Sequence, residues 1–181
     1  MYEKPQSMLK YPEKIRTLFE PRDDLKIEMI DRIPHFASLD GNEKKLLASV
    51  IHVRQFSNEE IIYTEASPSV AMYFIESGSV GLFKRFENAI LERIQYIGPG
   101  KWVGYSVLLG EQPRRSTAKA LENCSLVALL GADFDHLRKN HPKTANKILL
   151  AVFQDVFDDL TDLQREFLSL TIKLTKSNIL I

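Results

Sequence analysis

The sequence predicts a mainly β domain of the α+β class with helices at both ends, and three observations lead there. First, the middle of the chain is a succession of short runs rich in branched and aromatic residues: Val53–Phe56, Glu60–Thr64, Ala71–Ser77, Ser79–Phe86, Ala89–Tyr96, Ser116–Ala120 and Cys124–Leu130. Turn residues separate them, at Ser57-Asn58, Ser67-Pro68-Ser69, Gly78, Glu87-Asn88, Gly98-Pro99-Gly100 and Glu122-Asn123. Short strands at this spacing indicate a β-sandwich or barrel rather than β-α-β units. Second, the residues before them follow a helical period. Third, the residues after them carry a sustained seven-residue repeat.

The elements follow in order. Met1 to Pro21 is polar and holds three prolines, Pro5, Pro12 and Pro21; it reads as an arm (residues 1–22) with one short helix over Glu13–Phe19. Asp23 to Ile33 is a short amphipathic helix stopped by Pro34, because the residue before a proline is pushed out of the helical region. Leu39-Asp40-Gly41-Asn42 starts a second helix whose apolar face is Leu46, Leu47, Val50 and Ile51. The strands follow, then a short helix over Ala132–Lys139 that His141-Pro142 breaks. From Leu149 the apolar residues fall at Leu149, Phe153, Val156, Leu160, Leu163, Phe167, Leu170 and Leu174, with gaps alternating between four and three. That is a heptad seam on one long helix (residues 142–175), and it predicts a homodimer through Phe153, Val156, Leu160, Leu163, Phe167 and Leu170. Leu150, Val152 and Phe157 widen the early stripe, so the first part of this helix is expected to pack on the body. Leu170 to Ile181, whose end (176–181) is set apart as a tail, reads as frayed or as an added strand at a partner's edge.

Composition bounds the function. The 181 residues contain 24 basic and 24 acidic side chains, so no net field draws the chain to nucleic acid or to an anionic membrane. One cysteine, Cys124, excludes an internal disulfide and an all-cysteine metal or iron–sulfur site. The first residues lack the apolar core of a signal peptide and no run of about 18 apolar residues exists, which points to the cytoplasm. The four histidines, His35, His52, His136 and His141, are dispersed, and no metal site is expected. Asp155, Asp158, Asp159 and Asp162 read as a solvated flank of the long helix. Trp102, Phe83 and Phe86 read as core or rim aromatics. No Ser/His/Asp order or Walker-type loop is present, so no enzyme is expected.

The stretch with chemistry is Gly98 to Ala120. Gly98, Gly100 and Gly104 permit close backbone approach, and a short helix is expected to open after Gly104 with unpaired N–H groups outward. Arg114 stands ten residues past Gly104 and Arg115 eleven. An arginine there can clamp a phosphate bidentately.

Three phrases in this order resemble the cyclic-nucleotide-binding domain superfamily, over roughly Ile27 to Leu160: Met72-Tyr73-Phe74-Ile75-Glu76-Ser77-Gly78-Ser79-Val80, Ile97-Gly98-Pro99-Gly100 with Trp102-Val103-Gly104, and Pro113-Arg114-Arg115-Ser116-Thr117-Ala118. The resemblance implies an eight-stranded jelly roll with N-terminal helices and a long C-terminal helix, the roll and its flanking helices spanning residues 23–141. It implies a phosphate-binding cassette at Gly104, Ser106, Val107 and Arg114, with Arg115 and Ser116 as the other arginine-plus-hydroxyl pair. It also implies a cyclic nucleotide, cAMP or cGMP, or a related phosphate compound as ligand. The sequence departs from the family where a glutamate accepts the ribose 2′-hydroxyl: that position is Tyr105, and Val107 replaces the small residue two places on. Losing a charge-assisted hydrogen bond costs about 1.5–3 kcal/mol, roughly ten- to a hundredfold in affinity. Resembling proteins that read DNA carry a winged helix-turn-helix after the long helix, and Leu170 to Ile181 is too short for one. The sequence thus predicts a sensor module whose long helix signals to a separate output protein. The alternative is a roll that has lost its ligand and serves as an interaction scaffold.

Overall fold

The computed structural model describes residues 22–86, 91–110 and 112–179, with side chains to Thr175. The expected arm helix over Glu13–Phe19 and the turn at Glu87-Asn88 lie outside the described residues. Helix α1 (Asp23–Asp31) is followed by a 3-10 turn, Pro34–Phe36, and α2 (Gly41–Val50). Asp40 starts α2 with a reciprocal capping box: its carboxylate accepts from the amides of Asn42 and Glu43, and Glu43 accepts from the Asp40 amide. Strand β1 (Ile51–Phe56) follows without a loop, so Ile51 belongs to the strand and not to the helix face. The remaining strands are β2 (Ile61–Tyr63), β3 (Ala71–Ser77), β4 (Val80–Arg85), β5 (Leu91–Ile97), β6 (Trp102–Val103), β7 (Thr117–Ala120) and β8 (Cys124–Leu130). Strand β6 is not among the runs expected above; its two residues pair with β3 at Tyr73 and Phe74.

The strands form two antiparallel four-stranded sheets, ordered β1-β8-β3-β6 and β2-β7-β4-β5. Their inner faces enclose one core: Phe56, Ala71, Tyr73, Ile75, Val80, Val103, Leu126 and Leu130 among others. The outer face of the first sheet builds a second core with the helices. The alternation of side chains along a strand divides β3 and β8 between them: Tyr73, Ile75, Leu126 and Ala128 point inward, while Met72, Phe74, Val127 and Leu129 point to the helices. With both faces covered, β8 is buried at every residue.

Helix α3 (Gly131–Asn140) ends at His141, and α4 (Pro142–Ile179) begins with a proline at its first position, where the missing N–H costs nothing. At 38 residues α4 spans about 57 Å. It stays helical to Ile179, which corrects the expectation of a frayed or strand-forming tail. Its body-facing side is Ala145, Ile148, Ala151, Val152 and Asp155. The seam residues lie elsewhere on the helix: Val156 is half-buried, whereas Phe153 is 64% and Phe167 68% exposed.

Candidate functional site

The site is built where the chain crosses from β6 into a 3-10 turn, Tyr105–Leu109. Gly104 precedes the turn at φ +76°, a left-handed conformation that favours glycine. A Cβ there would overlap Arg114 Nη1 and press on the edge of the Tyr63 ring. The chain then returns along Gln112–Arg114 against the Ala66–Ser69 loop: the Arg114 amide donates to Ser67 O at 2.8 Å and the Ala66 amide to Arg114 O at 2.9 Å. This fixes the Arg114 backbone on both sides and aims its side chain inward.

Arg114 is 3% exposed. Its Nη1 donates to Gly104 O at 2.8 Å and its Nη2 to Ala71 O. The guanidinium lies over the Tyr63 ring, 4.0 Å from the centroid, and Tyr63 in turn stacks on Tyr73 at 6.4 Å and 24°. Burial pulls the Arg114 pKa down, opposed by the neighbouring tyrosines. Its Nε is buried with no hydrogen-bond partner among the described residues. A buried charged donor left unpaired is costly.

The other expected residues divide. Ser116 is buried and lies beside the Tyr63 phenol. Ser106 is 3.2 Å from the Ser69 hydroxyl. Arg115 faces solvent, so the structure brings Arg114 and not Arg115 to Gly104. The Val107 side chain turns the other way, into the helical core against Gly131, leaving only its backbone on the cassette side. It therefore does not narrow the roll interior. Tyr105 is 38% exposed. Its phenol pKa is pushed up, first by burial and then by the Asp159 and Asp155 carboxylates, so it lies toward α4.

Two features were missed in the sequence. Tyr63 contacts Gly104, Arg114 and Ser116 together. And Asp155, expected on a solvated flank, is 1% exposed: its Oδ2 accepts from the Trp102 amide at 3.0 Å, and its Oδ1 pairs with Lys101 Nζ at 2.7 Å. Lys101 also reaches Asp159 at 2.9 Å. Burial opposes the lysine's charge, but the two carboxylates outweigh it and hold its pKa above the usual range. Asp155 falls in line with Ile148, Ala151 and Val152, and an acid on an apolar stripe was the available signal. Trp102 itself is core, edge-on to Phe36 at 5.6 Å and Phe74 at 5.1 Å.

The cyclic nucleotide-binding domain family matches this chain over residues 53–141, from β1 to the end of α3. The chain belongs to the cyclic nucleotide-binding domain family. Solved structures agree: a cyclic nucleotide-binding domain from Methylobacillus flagellatus superposes with a TM-score of 0.75 at 19% identity, covering 92% of this chain and 96% of that one. Among curated proteins, one of Rhodopseudomonas palustris named for a potassium channel is 31% identical over 120 residues, which are 66% of this chain and 29% of that protein. The cyclic AMP receptor protein of Thermus thermophilus is 29% identical over 115 residues, 64% of this chain and 53% of the receptor. The chain thus spans between about a third and a half of these relatives' length. The stretch from Gly104 to Ser116 lies within the residues that the family matches.

Proposed function

We propose that the chain is a sensor module whose roll takes a cyclic nucleotide, or a related phosphate compound, and passes the event along α4. One observation carries the reading: a guanidinium 97% buried, held at Gly104, with an Nε–H that nothing among the described residues accepts. A phosphate oxygen beside Gly104 would complete it, with the Ser106 and Ser116 hydroxyls and the Tyr105–Val107 amides within the same stretch. Support also comes from a relative named a cyclic AMP receptor. The ribose side lacks the family's carboxylate, so the reading fixes the phosphate class and leaves cAMP and cGMP as alternatives.

The response goes to a second copy of the chain. Residues Phe153, Leu160, Leu163, Phe167 and Leu170 are exposed on α4 in heptad order, on a different side from Ile148, Val152 and Asp155, which hold the helix to the body. A contiguous exposed apolar face of this kind marks an interaction surface, and the 4-3 spacing fits a matching helix. A separate output protein would read the rearranged pair. Among the described residues no helix is long and apolar enough to cross a membrane, and the module is proposed to act in the cytoplasm.

Isothermal calorimetry with cAMP, cGMP and cyclic di-GMP tests the site. Saturable binding is expected, weakened at least tenfold in Arg114→Gln; no heat at millimolar nucleotide contradicts it. One arrangement favours the scaffold alternative: the Tyr63 phenol already sits beside Ser116, Ser106 faces Ser69, and two Arg114 donors are spent on carbonyls.

A further inference from the structure

That last arrangement has a single residue at its centre. Tyr63 comes from the short strand β2, paired with β7 at Ala118. Its phenyl face lies under the Arg114 guanidinium, its edge lies against Gly104, its hydroxyl lies beside Ser116, and its ring stacks toward Tyr73. Three of the residues that would hold a phosphate are therefore covered by one ring. We infer that Tyr63 is a gating and specificity residue of this site: it fills the phosphate subsite in the free protein, and a ligand enters by displacing it. This rests on the proposed reading of the site as a phosphate-ligand pocket.

The chemistry defines what can open it. The ring gives Arg114 a cation–π contact, which strengthens as the pair is desolvated, and sets its hydroxyl beside Ser116. A neutral sugar or base offers the guanidinium nothing comparable. An anion does, because a charge-assisted bond to Nε–H exceeds a neutral one and satisfies the donor that Tyr63 leaves unpaired. The gate therefore selects phosphate-bearing ligands over neutral nucleosides. Tyr63 cannot open by ionising, since burial pushes its phenol up to about 12.

The test is calorimetry on the full chain with cAMP, cGMP and, as neutral probes, adenosine and guanosine. Tyr63→Ala is expected to bind the cyclic nucleotide at least tenfold more tightly than the native chain. Tyr63→Ile, which suits a strand and keeps apolar bulk but cannot reach Ser116, is expected to gain as well and guards against an unfolded alanine variant. Thermal melting verifies that each variant is folded. Nucleotide binding to the native chain that both variants leave unchanged or weaken overturns the gate and spares the site. Tighter binding of a nucleoside than of its cyclic phosphate overturns the selectivity. No nucleotide binding to native chain or variants overturns both the gate and the reading beneath it.

Discussion

The two faces of the first sheet are built from the same strands and finished differently. On the outer face, Trp102, Phe36, Phe74, Leu137 and Ile148 interlock, and a buried acid, Asp155, is met by the Trp102 amide and Lys101; a donor left unpaired there among the described residues, Trp102 Nε1, is neutral. On the inner face, the core ends at an arginine whose Nε is buried without a partner among the described residues. A buried charge met by its counter-charge ties helix to sheet; a buried cation with an open donor and no counter-charge marks a place for an anion. The two meet in the six residues from Trp102 to Val107. Trp102 and Val107 point to the helices, while Val103 points inward and Gly104 meets Arg114. Under the proposed reading, what moves the cassette pulls on the packing of α4.

The comparison can be broken from the outer side first. Asp155→Ala leaves the Trp102 amide without its acceptor and Lys101 with only Asp159; chemical denaturation should show a loss of about 3 kcal/mol. A loss under 1 kcal/mol would mean that the acid does not tie α4 to β6. A smaller effect is expected on the inner side. Gly104→Ala forces a left-handed alanine and drives Arg114 from the Gly104 carbonyl, for about 2 kcal/mol, and nucleotide affinity should fall with it. Retained affinity would remove Arg114 from the site. The smallest change in fold stability, within about 0.5 kcal/mol, belongs to Leu163→Glu with Leu170→Glu, since neither residue touches the body. Light scattering should nevertheless show the native dimer giving way to monomer, and a native chain that is monomeric across micromolar concentrations would sink the helix pairing.

The fold was legible because its signals are local. Strand alternation, the Asp40 cap, the glycine turn at Gly98–Gly100 and the heptads each act within a few residues. Strand β6 escaped because a two-residue strand has no period to read. The site was half legible: Gly104, Arg114 and Ser116 stand at family spacing, and the structure brings those three together. Tyr63 was hidden because it lies more than forty residues from Gly104 in sequence and looks like any strand aromatic. Val107 shows the opposite case, a residue inside the motif whose side chain serves the other core. Asp155 was misjudged because three neighbouring aspartates made a polar flank look uniform, while only its own position faces the sheet.

The central claim is that the cassette and the long helix respond as one unit. Hydrogen–deuterium exchange of the full chain, with and without saturating cyclic nucleotide, tests it most directly. The account predicts that amides in residues 103–116 and in the first half of α4, residues 145–159, change protection together. Bound nucleotide that alters the cassette and leaves α4 exchanging as before would contradict it.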